Sequence, residues 1–279
     1  MTTEYPYEHQ SPSQVQMYEK CGRMYMYRYI EKKKYPPGVA ANIGTGAHKG
    51  REAGMRKRLV EGKLAPLEEA QDIARDTIIG AFKEGDVTLT PEEASEGRKN
   101  VRDTALDTVM KLVAADYDKI LPFVLPLAVE QRIEWQPKGY PLKILGVLDL
   151  VDGQYGPDTA FPRDEKTGAK KAPVEFALQL ITYDMLWEAH TGTRPGAVIV
   201  DHVQMKRYKK QTVRNIDHVE VSRSVFTVDD AARKRVLNRY AYMRESVGKG
   251  VFAPNPHGWW CSKKWCGYHK VCPFFSGRE

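Results

Sequence analysis

An apolar run interrupted by a single acid occupies residues 144–151, with the sequence ILGVLDLV. Apolar residues on both alternating faces are typical of an interior strand, so this run predicts a buried strand that carries Asp149. Because a lone buried carboxylate loses its hydration, Asp149 would need a cation, a hydrogen-bond network or a metal ion. The alternative is an aspartate near the strand end that reaches solvent beside Asp152-Gly153.

An acid and a base stand two residues apart in the tripeptide Asp164-Glu165-Lys166. In an extended chain this spacing places Asp164 and Lys166 on the same face. Carboxylates at such a place would hold a hard Mg²⁺ or Mn²⁺, and the lysine would position or deprotonate an attacking water. On its own, the pattern is also that of a surface ion pair. Since Pro162 cannot donate to a sheet ladder, we expect an edge strand here, or one partly outside the sheet.

The rest of the chain predicts helices first and then a mixture of strands and helices. Helical signals begin at the capping sequence Ser11-Pro12-Ser13-Gln14, continuing past Cys21, and again near Gly44, at Ala65-Pro66 and at Thr90-Pro91. Next come a hairpin of strands 124–135 and 143–151, a helix from about Pro173 to His190, strands 197–205 and 212–221, and a helix over 227–247. This order predicts an α/β or α+β fold with a central mixed β-sheet flanked by helices.

The length of 279 residues suits one main domain, and we expect it to have three consecutive parts. Residues 1–120 form a mainly helical part that carries Cys21 and His48, and residues 121–225 form the sheet core. Residues 226–279 form a helix followed by a cysteine-rich, metal-binding tail. No secretion signal and no apolar segment of about 20 residues is present, so we expect a cytoplasmic protein without a membrane partner.

Positive charge is in excess and is clustered along the chain. Lys and Arg number 43 against 36 Asp and Glu, a formal net charge of +7. The basic runs are Arg56-Lys57-Arg58, residues 206–210 and Arg233-Lys234-Arg235. They favour a polyanionic partner such as nucleic acid, because each neutralised phosphate releases counterions. The alternative is that these runs are ordinary solvated faces.

Several short motifs follow one another in an order that resembles a known family. They are Gly44-Thr45-Gly46-Ala47-His48, Gly146-Val147-Leu148-Asp149, Asp164-Glu165-Lys166 and Gln179-Leu180-Ile181-Thr182-Tyr183. In type and order they resemble the PD-(D/E)XK nuclease superfamily in its RecB-like branch, which includes CRISPR-associated and phage exonuclease-like proteins. The resemblance implies a restriction-endonuclease-like core.

The resemblance also implies a role for each motif residue. His48, Asp149, Asp164 and the backbone carbonyl of Glu165 would bind Mg²⁺ or Mn²⁺, and Lys166 would act on the attacking water. Gln179 and Tyr183, one helical turn apart, would organise the site or contact the DNA backbone. Glu130 is a weaker candidate, because Arg132 and Glu134 alternate with it and are equally typical of a solvent-facing strand. Without the other motifs, His48 would be read as a histidine held by a core hydrogen bond.

Four cysteines are present, Cys21 and the closely spaced Cys261, Cys266 and Cys272. In a cytosolic protein such thiols are metal ligands or are simply buried, and four soft ligands suit an iron-sulfur cluster. The resemblance supports this reading, since some RecB-like and CRISPR-associated nucleases hold a [4Fe-4S] cluster with one N-terminal and three C-terminal cysteines.

The competing metal at the cysteines is Zn²⁺, held by the three C-terminal thiols and either His257 or His269. We expect the surrounding aromatic residues to shield either metal from water, although such rings also stack on bases. These aromatic residues are Trp259, Trp260, Trp265, Tyr268, Phe274 and Phe275.

The sequence therefore predicts a Mg²⁺- or Mn²⁺-dependent DNA nuclease, an exonuclease acting on single strands or duplex ends in recombination, repair or phage DNA processing. A recombination or helicase partner is expected, because the chain has no helicase motif G-X-X-X-X-G-K-[ST]. One alternative is a nucleic-acid-binding module without catalysis on the same fold. Another is a small-molecule redox protein that uses the cluster for electron transfer, although no G-X-G-X-X-G loop is present.

Overall fold

The structure is a computed structural model that describes residues 5–154, 156, 159–167, 177–207 and 216–277. The helices in the described part are α1 (Pro12–Lys20), α2 (Gly22–Tyr25), α3 (Val39–Glu61), α4 (Leu67–Glu84), α5 (Pro91–Glu96), α6 (Arg98–Lys119), α7 (Ala177–Thr191) and α8 (Asp230–Gly248). The strands are β1 (His9–Gln10), β2 (Pro126–Trp135), β3 (Lys143–Asp152), β4 (Phe161–Thr167), β5 (Val198–Arg207) and β6 (Ile216–Phe226). A π-helical turn covers Met26–Ile30 and a 3-10 turn covers Leu121–Phe123.

Three sequence predictions fall on residues that the structure leaves undescribed. The expected helix start near Pro173 lies outside the described residues, as do the strand start near Thr212 and the basic run from residue 208 onward.

The chain divides into two compact units that are both discontinuous in sequence. The first unit comprises Met1–Tyr35, Ile133–Gly146 and Asp229–Glu279, and the second comprises Pro36–Arg132 and Val147–Val228. All four cysteines belong to the first unit, and the predicted catalytic residues belong to the second. Strands β2 and β3 contribute residues to both units.

The strands form one mixed sheet in the order β1-β3-β4-β5-β6, with β2 also paired to β3. Strand β4 is antiparallel to β3 and parallel to β5, and β6 returns antiparallel to β5. All residues from Val198 to Gln204 in β5 are buried, so this central strand is covered on both faces. The predicted fold class, a mixed α/β fold with a central mixed sheet flanked by helices, is confirmed.

Strand β4 is an interior strand, so the prediction of an edge strand near Pro162 is wrong. Pro162 pairs with Val151 of β3, and the parallel ladder to β5 begins one residue later, at Arg163. The missing N–H of Pro162 therefore falls before the longer of the two ladders, where it interrupts no pairing with β5.

Helix α3 carries His48 and lies in the second unit. It begins earlier than its predicted start near Gly44. Its N-cap is Gly38, and the helix runs on to Glu61. Small residues on one face allow α4 and α6 to approach closely: a Cβ on Gly50 would lie 2.8 Å from the Ala70 carbonyl oxygen and 3.0 Å from a Val113 methyl group. Packing at this distance limits how far α3 can move relative to α4 and α6. It thereby fixes the position of His48.

Two predicted helices are interrupted in the structure. The first breaks at Cys21, whose extended backbone (φ −167°, ψ 113°) separates α1 from α2. The second, expected to run from Thr90 to about Tyr117, breaks at Gly97, whose positive φ of 86° separates α5 from α6. The predicted capping box at Ser11 is present, and the predicted cap Thr90 forms one as well. In the part of the chain that the structure describes, no helix combines the length and the apolar character needed to span a bilayer.

Candidate functional site

His48 connects helix α3 to two strands of the sheet. Its Nδ1 lies 3.3 Å from a carboxylate oxygen of Asp149 in β3. Its Nε2 lies 3.1 Å from the backbone carbonyl oxygen of Glu165 in β4, within hydrogen-bonding distance. The structure thus brings together His48, Asp149 and the Glu165 carbonyl, three of the four predicted metal ligands.

Glu130, which is only a weaker candidate from the sequence, lies in one group with His48 and Asp149. Ligand atoms of His48, Glu130 and Asp149 all lie within 4.8 Å of one another. The backbone of Glu130 has a φ of 48°, an unusual left-handed conformation for a glutamate inside a strand. Backbone strain of this kind concentrates at functional sites, and here it accompanies a side chain that reaches the group. Partial burial raises the pKa of Glu130, and the charge of Glu52 raises it further.

Asp164 and Lys166 form an ion pair next to this group, as their spacing predicts. The Lys166 ammonium lies 2.6 Å from a carboxylate oxygen of Asp164, and the Asp164 side chain is fully buried. Burial, followed by the neighbouring Asp164 carboxylate, raises the pKa of Asp149 well above its usual range. Two acids held this close in the interior favour the binding of a cation between them.

Gln179 in α7 forms hydrogen bonds with the ion pair of Asp164 and Lys166, and also with Tyr183 in the same helix. The Gln179 amide donates hydrogen bonds to Asp164 (3.1 Å) and to the Tyr183 hydroxyl (2.8 Å), and its carbonyl oxygen accepts one from Lys166 (3.2 Å). Burial and the nearby Asp149 raise the pKa of Tyr183, so its hydroxyl remains protonated. One turn of α7 therefore fixes the relative positions of the Asp164 and Lys166 side chains.

The side chain of Glu165 points to the opposite face of β4, where it is held by a buried arginine. Arg51, one turn after His48 in α3, donates to Glu165 over 2.8 Å, and the two side chains are 4% and 2% exposed. Arg51 also lies 3.8 Å from Asp201, the residue that pairs with Glu165 across the β4–β5 ladder. Because two acids side by side repel each other, the guanidinium of Arg51 stabilises this register.

Further buried charges extend this network. Arg163 contacts Asp152 at 2.6 Å and Asp201 at 2.5 Å, and Arg223 contacts Asp201 at 2.8 Å. Burial would raise the pKa of Asp201, but Arg163 and Arg51 lower it. Asp116 of α6 has its pKa raised well above the usual range, first by burial and then by Glu165. In this network the carboxylates of Asp152, Glu165 and Asp201 face the guanidinium groups of Arg51, Arg163 and Arg223.

Sequence reasoning missed this network, although one signal pointed to it. Asp201 directly follows the apolar residues Val198-Ile199-Val200, as Asp149 directly follows the apolar residues 144–148. Arg51 carries no comparable signal, because an arginine inside a helix is ordinarily exposed.

The four cysteines of the first unit line one cavity. Burial, followed by the neighbouring Cys261, Cys272 and Cys21, raises the pKa of the Cys266 thiol. The helix break at Cys21 is covered by the C-terminal segment, since the Asn255 side chain donates to the Lys20 carbonyl at 3.1 Å. The Asn255 backbone N–H lies 3.4 Å from the Cys21 sulfur. These contacts bring an N-terminal and three C-terminal thiols to one place.

Neither histidine that was considered as a zinc ligand lines this cavity among the described residues. His269 Nδ1 lies 2.8 Å from the Cys266 carbonyl oxygen instead. The predicted aromatic shell is only partly correct, because four of the six rings line the cavity. Those four are Trp260, Tyr268, Phe274 and Phe275.

Comparison with known proteins shows which family the chain belongs to. The family model of the PD-(D/E)XK nuclease superfamily matches residues 9–273. The chain belongs to this superfamily. No curated protein matches the chain significantly. PD-(D/E)XK nucleases use divalent metal ions, and the group of His48, Glu130 and Asp149 is a candidate site for one.

We expect Arg51→Met to destabilise this PD-(D/E)XK fold strongly, because it leaves Glu165 as a buried, unpaired charge. The expected loss is about 3–5 kcal/mol of unfolding free energy, measured by urea denaturation. The matched control is Arg56→Met on the same helix, since Arg56 is exposed and pairs with Glu52 at 2.8 Å. That change should cost less than about 1 kcal/mol. Equal effects of the two substitutions would contradict the assignment of Arg51 as a buried partner of β4.

Proposed function

We propose that this chain is a Mg²⁺- or Mn²⁺-dependent deoxyribonuclease that hydrolyses phosphodiester bonds as an exonuclease. The observation that carries the proposal is the juxtaposition of two groups in the second unit. One is the group of His48, Glu130 and Asp149, and the other is the ion pair of Asp164 and Lys166. Family membership supports nuclease chemistry, and the geometry supplies the residues for it.

The donor set fits a hard divalent cation. It combines carboxylate oxygens and a backbone carbonyl with a single imidazole, and hard cations prefer oxygen ligands. Asp149 lies at the centre of this donor set. Its carboxylate contacts His48, and the nearby carboxylate of Asp164 raises the pKa of Asp149. When bound, such a cation would stabilise negative charge on the phosphate and make a coordinated water more acidic.

The protein's own side chains would orient the reaction around that position. Lys166 carries a positive charge and three donors, which suit it to hold a water or a phosphate oxygen. Gln179 restrains Lys166 and Asp164 at once, so the ammonium keeps a fixed direction relative to the carboxylate. Tyr183, protonated and bonded to Gln179, supports that restraint.

The proposed substrate is DNA, either single-stranded or at duplex ends. The net charge of +7 favours a polyanion. The exonuclease mode, the role in recombination, repair or phage DNA processing, and a helicase or recombination partner rest on the RecB-like order of the motifs. The alternative, a binding module without catalysis on the same fold, is disfavoured because Asp149, Asp164 and Lys166 are in contact or close to one another.

For the cysteines we propose a structural [4Fe-4S] cluster held by Cys21, Cys261, Cys266 and Cys272. The four thiols line one cavity and provide the soft ligands that such a cluster requires.

Replacement of the acidic and basic partners should abolish cleavage. We expect Asp164→Ala and Lys166→Ala each to lower the rate of digestion of labelled single- and double-stranded DNA, with Mg²⁺ or Mn²⁺, by roughly 100-fold or more. The matched control is the exposed pair of Asp107 and Lys111, which are 2.7 Å apart on α6. Alanine at either control position should leave the rate unchanged. Full activity of the two site variants would refute the assignment.

Glu130→Gln should raise the metal requirement, because it removes one anionic ligand and keeps the shape of the side chain. We expect at least about a tenfold increase in the Mn²⁺ concentration that gives half-maximal cleavage. Glu134→Gln is the control, since Glu134 lies on the same strand and pairs with Lys143 at 3.4 Å. If both variants respond to Mn²⁺ like the native protein, Glu130 is not a ligand.

Anaerobic purification followed by elemental analysis tests the cysteine proposal. We expect about four iron and four sulfide ions per chain, and loss of both in Cys21→Ser. The finding that would exclude the cluster is zinc without sulfide.

A further inference from the structure

Two tryptophans of the cysteine-containing unit are not used to enclose its cavity. Trp259 and Trp265 are absent from the cavity lining, and they are 58% and 54% exposed. Large aromatic side chains are mostly buried in a folded protein, and neighbouring exposed ones mark binding surfaces. The expectation that all six aromatic residues shield the metal is therefore wrong for these two.

The two exposed rings form one fixed surface. Their centroids are 5.5 Å apart and their planes are perpendicular (89°). Trp259 also meets Trp260, which does line the cavity, at 5.7 Å. The backbone that carries them is held by hydrogen bonds from Cys261 N to Gly258 O and from Cys266 N to Ser262 O, both at 2.9 Å. The rings therefore already lie side by side in the free protein, and this arrangement reduces the entropy lost on binding.

Positive charge accompanies these rings. The Lys20 ammonium lies 5.4 Å from the centroid of the Trp259 ring, and the Lys264 ammonium lies 5.7 Å from that of Trp265. The sequence contains no Asp or Glu between Glu245 and Glu279, whereas Lys249, Lys263, Lys264 and Lys270 all fall in that segment. A partner for this surface must therefore offer flat apolar groups and negative charge together.

Single-stranded DNA has both properties. Its unpaired bases can stack on aromatic rings, and its phosphates are attracted by lysines. In a duplex the faces of the bases are already stacked on one another. We propose that Trp259 and Trp265, with Lys20 and Lys264, form a stacking surface for the bases of single-stranded DNA. The surface deepens the proposed function, because it would bind a strand of the same substrate class.

The test is binding without cleavage, measured by fluorescence anisotropy of a labelled oligothymidylate of about 20 nucleotides in EDTA. The double variant Trp259→Ala/Trp265→Ala should bind at least about tenfold more weakly, since each stacked base contributes about 1–3 kcal/mol. Trp259→Phe/Trp265→Phe should keep most of the affinity because it keeps the stacking faces. Lys264→Gln should lower the slope of log affinity against log salt by about 0.7, the value for one phosphate contact.

Tyr242→Ala provides the matched control, because Tyr242 is a 67% exposed aromatic residue of α8 in the same unit. It should bind the oligothymidylate like the native protein, and the alanine double variant should bind duplex DNA normally. Iron content and thermal unfolding of each variant check that the unit remains intact.

Unchanged affinity in the alanine double variant would overturn the stacking surface and leave a protein partner as the occupant of the two rings. Equal loss on single strands and duplex would overturn it too, since stacking requires unpaired bases. Failure of the nuclease proposal is distinguishable, because it would abolish cleavage by the native protein while tryptophan-dependent binding in EDTA persists. Normal cleavage together with tryptophan-independent binding would refute only the stacking surface.

Discussion

Strand β4 places charged side chains in the interior of the sheet, and each of them requires a partner there. Its residues alternate between two faces, with Arg163 and Glu165 on one and Asp164 and Lys166 on the other. The first face is neutralised by Arg51 and by Asp201, so that the strand can lie between β3 and β5. The second face is thereby presented to α7, where Gln179 holds it. The partners of one face thus position the side chains of the other.

The same arrangement explains how α3 and β4 keep their register. Arg51 fixes the side chain of Glu165, and His48, one turn earlier, lies against the carbonyl of that residue. Two contacts from one helix to a single residue leave little freedom for the helix to slide along or rotate about its axis. The small residues that let α3 approach α4 and α6 add a steric limit to this electrostatic one.

The sequence predicts the residues that alternate or repeat regularly, and it fails where tertiary partners decide. Strand β3, Asp149 and the pair of Asp164 and Lys166 follow from a period of 2 residues. Gln179 and Tyr183 follow only from the resemblance to the family motif, which places them one helical turn apart. The prediction from Pro162 is wrong because the whole sheet decides which edges of a strand are paired. The local sequence does not contain that information. Glu130 is underestimated because its left-handed backbone departs from the alternation on which its ranking rested. Arg51 is invisible because its burial depends on acids more than a hundred residues later.

The division of the chain into units has a consequence for its biosynthesis. The second unit consists of residues Pro36–Arg132 and Val147–Val228, all of which leave the ribosome before the last part of the first unit, Asp229–Glu279. Since domains fold as units during synthesis, the second unit can form before residues 261–272 have been synthesised. Those residues carry the other three cysteines of the cavity that Cys21 lines. The four-thiol cavity can therefore close only after residues 261–272 have been synthesised.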